Sequence, residues 1–115
     1  MGIANEAWGV DPSSSHGRKW LINMYDLAKK LDLTRLVVDN SPCASNFHVK
    51  TDIVDYHWYS IILGSYEYWI GFVRRFAIDP GWVFGNDPIR KGDEPLIVSE
   101  LGTTKFKEDY ERLWR

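Results

Sequence analysis

The sequence predicts an α/β protein that forms about half of a (β/α)8 TIM barrel, with parallel strands joined by crossover helices. Apolar strand-like runs alternate with segments of helical periodicity, which favours a parallel sheet with right-handed crossovers. Polar residues collect at the carboxyl ends of the predicted strands, where barrels place their catalytic groups. The 115 residues fall short of the about 250 of a whole barrel. A small open sheet of four strands and three helices is the alternative.

The first part of the chain predicts a strand, a helix and a second strand. Met1 to Ala7 is a short apolar run, and Thr34 to Asp39 is a β-branched run of strand length. Between them, apolar residues recur at helical spacing from Trp20 to Leu31, with lysines on the opposite face. A serine within Ser13–Ser15 can cap this helix, and Asp32 lies near its end.

The second part predicts two further strands and two further helices. Asn40 to Lys50 is rich in Ser, Pro and Asn, which indicates a loop, and Asp52 to Ser60 is an aromatic-rich strand. Apolar residues at helical spacing predict a helix from about Ser65 to Ala77, which Asp79, Pro80 and Gly81 end. The remaining predicted elements are a loop over Pro80–Glu94, a strand over Pro95–Ser99 and a helix over Lys105–Arg115.

Composition narrows the classes of partner. Fourteen Lys and Arg residues against 16 Asp and Glu residues give a net charge of -2 without a basic block, which argues against nucleic acid or an anionic membrane. No apolar stretch is long enough to span a membrane, and no signal peptide is visible. The single cysteine, Cys43, excludes an internal disulfide and slightly favours the cytoplasm over oxidising compartments. The aromatic share of 15% serves either packing or contact with sugar rings.

Two glutamates carry the strongest functional signal. Glu6 and Glu100 each end a short apolar run, follow a small or amide residue, and are followed shortly by a glycine. Side chains at the carboxyl ends of parallel strands meet at one mouth of the sheet. Two carboxylates in such a place are the groups that cleave a glycosidic bond. Either residue alone would be an ordinary surface glutamate; the pair favours a catalytic site.

Other residues near the predicted strand ends are candidates for substrate binding. His57 is either a sugar contact or a packed histidine, and Tyr59 either orients a glutamate or fills the interior. Asp39, like Asn40 and Asp55, either lines the binding site or has a structural role. Trp8 and Trp58 either stack on sugar or pack in the core. No metal or cofactor is predicted, because His16 and His48 lack partners at metal-ligand spacing. The candidate substrate-binding residues are Asn5, Trp8, Asp39, His57 and Tyr59.

Four motifs in order resemble the catalytic barrel of glycoside hydrolase family 2, the group of β-galactosidases, β-glucuronidases and β-mannosidases. Asn5-Glu6 is similar to the end of the family's fourth strand, and Ser99-Glu100-Leu101-Gly102 to the end of its seventh. The segment Val37–Ser41 resembles the fifth strand, and Asp52–Tyr59 resembles the sixth. The resemblance covers nearly the whole chain but only strands four to seven of that barrel.

The resemblance implies a retaining β-glycosidase in which Glu6 is the general acid/base and Glu100 the nucleophile. It also implies that Tyr59 lies near the nucleophile and that residues 1–115 are a fragment of a larger catalytic domain. The alternatives are a catalytically incomplete fragment and a sugar-binding protein without turnover. We expect the chain by itself to self-associate through exposed sheet edges, or to stay partly molten, and to lack glycosidase activity.

Overall fold

The computed structural model describes residues 1–60 and 66–103. In these two ranges the chain forms six strands, two α-helices and one 3-10 helix. The order is β1 (Gly2–Asn5), α1 (Ser15–Leu31), β2 (Val38–Ser41), β3 (His48–Lys50), β4 (Val54–Ser60), α2 (Tyr66–Ile78), the 3-10 helix (Pro80–Val83), β5 (Phe84–Ile89) and β6 (Leu96–Thr103). Neither α-helix is long and apolar enough to cross a membrane.

The strands form three parallel pairs, β1 with β2, β3 with β5 and β4 with β6. Each sheet has two strands, and no barrel closes in the described ranges. The predicted partial TIM barrel is therefore wrong, although the mixed α/β content is correct.

The physical reason is that no continuous ladder joins β2, which pairs with β1, to β4. Two backbone hydrogen bonds of 2.8 Å connect the neighbourhoods of β2 and β4. Asp52 N donates to Val37 O just before the two strands, and His57 N donates to Pro42 O just after β2. Pro42 has no amide hydrogen with which to extend this pairing. Such flanking bonds hold β2 and β4 close without merging their two sheets into one.

Helix α1 forms as predicted and covers the first pair of strands. Its N-cap is Ser14, whose Oγ accepts a hydrogen bond from Gly17 N at 3.0 Å, and Asp32 is the C-cap. Gly17 is required, since a Cβ there would lie 1.9 Å from the carbonyl oxygen of Asp11. Tyr25 and other apolar residues of α1 form a buried cluster with β1 and the start of β2, consisting of Tyr25, Ala28 and Val37, with Ile3 packed against it.

Strand β4 separates the main core from the polar face of the protein. Its side chains alternate, so that Tyr56 and Trp58 face α2 while Asp55, His57 and Tyr59 point the other way. The core on the α2 side is aromatic, and Trp58 packs there against the indole of Trp69 with ring centroids 5.2 Å apart. The buried members are Val54, Tyr56, Phe76, Val83 and Phe84.

Several boundaries differ from the predicted ones. β2 starts at Val38 rather than Thr34, and β6 continues to Thr103 rather than ending at Ser99. The predicted loops contain β3, the 3-10 helix and β5. β3 and β5 are short and are stabilised by pairing with each other rather than by local pattern, whereas the 3-10 helix is capped locally by Asp79. The helix predicted over Lys105–Arg115 lies outside the described residues.

Candidate active site

The side chains of Glu6, His57, Tyr59 and Glu100 meet on the polar face of β4. His57 lies between the two glutamates, with Nδ1 2.9 Å from Glu6 Oε1 and Nε2 3.4 Å from Glu100 Oε1. A carboxylate oxygen of Glu6, a carboxylate oxygen of Glu100 and a ring nitrogen of His57 all lie within 4.8 Å of one another. The two glutamates, 94 positions apart in the chain, are therefore close enough to act on one bond.

Glu6 reaches this position because the chain turns sharply at the end of β1. Glu6 and Ala7 both adopt left-handed backbone conformations, with φ of 49° and 56°. Such residues cost about 1–3 kcal/mol each and persist where their surroundings hold them. Here Ala7 N donates to Asn40 Oδ1 at 2.8 Å, and the Glu6 carbonyl accepts from Asn46 Nδ2 at 2.8 Å. The loop after β2 thus fixes the direction of the Glu6 side chain.

Glu100 reaches the site through an irregularity in β6. Asp55 pairs with Ile97 and His57 pairs with Glu100, so two steps along β4 match three along β6. The extra residue is a β-bulge, which redirects the side chains that follow it. The Asp55 carboxylate stabilises the bulge by accepting from Ser99 N at 3.1 Å and from Ser99 Oγ at 2.8 Å. The bulge brings the Glu100 carboxylate to the side of the sheet that holds His57.

Hydrogen bonds set the charge of this site. The bond from His57 lowers the pKa of the Glu6 carboxyl, and burial of the carboxyl opposes this effect. A weaker hydrogen bond from Trp8, whose Nε1 donates to Glu6 Oε2 at 3.3 Å, lowers the pKa further. The Tyr59 hydroxyl donates to Glu100 Oε2, and this bond raises the pKa of Tyr59 far above its usual range. Tyr59 therefore stays protonated as a donor, and Glu6 is ionised at neutral pH.

Glu6, His57 and Glu100 are the described residues whose donor atoms are spaced for a metal ion. A histidine binds a metal through one ring nitrogen. In this site each nitrogen of His57 faces a different carboxylate. His57 is hydrogen-bonded to Glu6 and lies within ion-pair distance of Glu100.

The other predicted substrate-binding residues differ in their position relative to the site. Trp8 is 79% exposed and touches Glu6, and Asn5 is exposed beside it at the end of β1. Asp39 is completely buried, and its carboxylate accepts hydrogen bonds from neighbouring backbone amides and lies 2.7 Å from His48 Nδ1. The structure thus places Asp39 in the scaffold that joins β2 to β3, away from any sugar contact.

Cys43 and Asn46 belong to the site but were not singled out from the sequence. Cys43 contacts the Glu6 carboxylate, and its pKa is raised by burial first and then by the charges of Glu6 and Glu100. Asn46 fixes the backbone of Glu6. Both lie in the loop after β2, where a Ser-, Pro- and Asn-rich composition signals a turn but not its direction.

No family model, curated protein or solved structure matches this chain significantly. The resemblance to glycoside hydrolase family 2 rests on the four sequence motifs.

Proposed function

We propose that this site is that of a retaining β-glycosidase, acting on a carbohydrate substrate. The observation that carries the proposal is the convergence of Glu6 and Glu100, since one carboxylate oxygen of Glu6 lies within 4.8 Å of one carboxylate oxygen of Glu100. Retaining glycosidases hold their two carboxyl groups about 5–5.5 Å apart, whereas inverting enzymes leave room for a water at about 6.5–9.5 Å. The short separation supports the retaining class over the inverting one.

In this proposal Glu100 attacks the anomeric carbon and forms a glycosyl ester as the bond to the leaving oxygen breaks. Glu6 gives its proton to that oxygen and then takes a proton from the incoming water, whose oxygen releases the sugar from Glu100. Tyr59 orients the nucleophile through its hydroxyl bond to Glu100. These are the roles that the sequence resemblance implies.

Glu6 is ionised in the free protein, so this mechanism requires that Glu6 gains a proton when substrate binds. A general acid must be protonated when substrate binds, yet the bond from His57 lowers the pKa of Glu6. A sugar that enters between the carboxylates must displace His57 from Glu6. Loss of that bond and the nearby charge of Glu100 both raise the pKa of Glu6, and ester formation at Glu100 then lowers it again.

A trapping experiment tests the proposal without requiring repeated turnover. The purified chain is incubated with 2-deoxy-2-fluoro-β-glycosyl fluorides of galactose, glucose, mannose and glucuronic acid, and its peptides are analysed by mass spectrometry. One of these donors should add a fluorosugar to the peptide that contains Glu100. The adduct should be absent from Glu100→Gln and present in Glu67→Gln, which changes an exposed glutamate on α2. Absence of an adduct with every donor, or an adduct on another residue, would contradict the proposal.

The ionised state of Glu6 favours one alternative, a site that binds sugar without cleaving it. Binding then needs only acceptors and donors for hydroxyl groups, which Glu6, His57 and Tyr59 supply. Saturable binding of a glycoside, together with no adduct on Glu100 and no hydrolysis of its 2,4-dinitrophenyl derivative, would select this alternative. That leaving group needs little protonation, so its survival would point to a missing nucleophilic step rather than a missing acid.

A further inference from the structure

A cleft of about 540 Å³ lies next to the candidate active site, between the end of β1 and the first turns of α1. Its size is within the range of about 300–1,000 Å³ that small-molecule sites occupy. One wall is the close contact of the Asp11 carbonyl with Gly17, where no side chain fits. The side chains relevant to binding are Asn5, Trp8, Asp11, His16 and Trp20.

The cleft adjoins the active site through two residues close to Glu6 in the sequence. Asn5 and Trp8 both line it, and the Trp8 indole also donates to the Glu6 carboxylate at 3.3 Å. Among the described lining residues, none belongs to β4 or β6, which carry His57 and Glu100. The cleft therefore opens on the Glu6 side of the site, away from Glu100.

That side is where a leaving group would extend. The anomeric carbon must lie against the nucleophile and the glycosidic oxygen against the acid, so whatever is attached to that oxygen continues past Glu6. The left-handed turn at Glu6 and Ala7 directs Trp8 into this path, and the turn closes with a 2.9 Å bond from Trp8 N to Asn5 O.

The lining chemistry is suited to a sugar ring. Trp8 is 79% exposed and Trp20 is 37% exposed, so both indoles offer flat apolar surface to a ligand. Asn5, Asp11 and His16 are exposed too and provide donors and acceptors for hydroxyl groups. Small-molecule sites combine apolar and aromatic surface with a few polar groups in this way.

We propose that this cleft binds the sugar unit of the leaving group, so that the substrate class is a β-linked oligosaccharide rather than a glycoside of a small alcohol. The inference rests on the proposed function, because it uses the role of Glu6 to identify which part of the substrate the cleft receives. It adds Trp20 and His16 as residues that determine specificity.

The test measures binding, so that its outcome is separate from catalysis. ¹H–¹⁵N spectra of the chain are recorded during titration with cellobiose, lactose and β-1,4-mannobiose. With at least one disaccharide the indole N–H signals of Trp8 and Trp20 should shift in a saturable manner. Trp20→Ala and, as a second variant on an exposed position, His16→Ala should each weaken this binding about tenfold. Tyr68→Ala, which removes a 66% exposed aromatic ring on α2, is the matched control and should bind like the wild type.

The outcomes distinguish the two proposals. Binding that does not depend on Trp20 or His16, or no binding of any of the three disaccharides, overturns the subsite. Trp20-dependent binding together with no adduct on Glu100 in the trapping experiment supports a saccharide cleft and contradicts the glycosidase proposal. An adduct on Glu100 without disaccharide binding in the cleft retains the glycosidase and removes the oligosaccharide preference.

Discussion

At His57, one imidazole faces both carboxylates of the candidate site, and its side chain is almost completely buried. A neutral imidazole carries one N–H, so it can donate to only one of two ionised neighbours. The 2.9 Å contact to Glu6 is shorter than the 3.4 Å contact to Glu100, and the pKa of Glu6 is lowered accordingly. The hydrogen bond from His57 thus stabilises the ionised form of Glu6 in the free protein.

Replacing His57 by alanine should raise the pKa of Glu6. The hydrogen bond from His57 is the largest effect that stabilises the ionised carboxylate, so its loss shifts the balance toward burial, which favours the protonated acid. Titration of ¹³C-labelled glutamate carboxyl carbons by NMR would measure the change, with Glu67, exposed on α2, as the internal reference. A Glu6 pKa that stays where it is in the wild type would show that the described contact does not control the site.

The same variant separates the roles of the two glutamates if hydrolysis is measurable. When Glu6 is the general acid, its pKa sets the alkaline limb of the pH profile of kcat/KM, which should move to higher pH in His57→Ala. Movement of the acid limb instead would identify Glu6 as the ionised nucleophile and reverse the proposed assignment.

The sequence predicted which residues would meet, but not how each is held. Glu6, His57, Tyr59 and Glu100 come together as expected. Asp39 does not join them, because its carboxylate is used by the amides of β3 and lies against His48. A strand-end aspartate can serve either purpose, and the choice depends on a neighbour, β3, that local pattern did not reveal.

At the scale of elements, the bulge in β6 decides where Glu100 points. Side chains in a regular strand alternate between faces, so Ser99 and Glu100 would face opposite ways. The register shift lets both contact residues of the polar face of β4, Ser99 through Asp55 and Glu100 through Tyr59. The Asp55 carboxylate is the group that stabilises this geometry.

We expect Asp55→Ala to destabilise the protein by about 1.5–3 kcal/mol, the value of a hydrogen bond to a charged group. It should also slow labelling of Glu100 by the fluorosugar, because the bulge is no longer fixed. Asp55→Asn keeps an acceptor for Ser99 N and a donor for Ser99 Oγ, so it should retain most of both properties. Urea unfolding and the labelling rate are the two measurements. Equal labelling in Asp55→Ala and the wild type would mean that another contact positions Glu100.

The elements also differ in how far local sequence determines them. The helices α1 and α2 were predicted almost to the residue, since apolar periodicity and end signals such as Ser14 act locally. β3 and β5 were missed because they are short and pair with each other across 36 to 39 positions. The bulge in β6 has no sequence signature of its own, because it depends on the position of Asp55.

At the scale of the whole molecule, Asp52 connects elements that are distant in sequence. Its buried carboxylate accepts hydrogen bonds from Lys29 and Tyr25 of α1, from Val37 N before β2, and from Lys91 before β6. Burial opposes its charge, but these donors outweigh burial and hold the pKa of Asp52 well below its usual range. The carboxylate therefore joins the helix, the sheet and the loop that leads to Glu100.

Because its pKa is lower in the folded state, Asp52 should stabilise the protein above its unfolded pKa of about 3.9. This contribution should be lost as the pH falls below that value toward the folded pKa. Asp52→Ala should cost about 1–3 kcal/mol or more at pH 7, since it leaves the buried Tyr25 hydroxyl and Val37 amide without their acceptor. Denaturant unfolding between pH 7 and pH 2 would check both statements. The difference between wild type and Asp52→Ala should shrink in acid; a constant difference would contradict the linkage.

The molecule is less compact than is usual for a domain of its length. Its radius of gyration is 15.1 Å, whereas a compact domain of this length has about 13 Å. β1 and β6 each have one partner strand in the described part of the chain, so one edge of each strand remains open there. Leu96 and Ile97 on β6 are 39% and 46% exposed. Full burial of such a side chain is worth about 1.5–3 kcal/mol, which favours association through this edge.

We therefore expect the purified chain to self-associate, as was predicted from the sequence for a different sheet arrangement. Light scattering after size-exclusion chromatography should give a mass above the 13.4 kDa of one chain, increasing with concentration. Ile97→Lys should reduce the mass, because a charged side chain at an open strand edge opposes pairing with a second copy. Ile78→Lys, at an exposed apolar residue that ends α2, is the matched control and should not reduce it. If the wild type is a monomer at all concentrations, the open edge of β6 is covered by another part of the same chain.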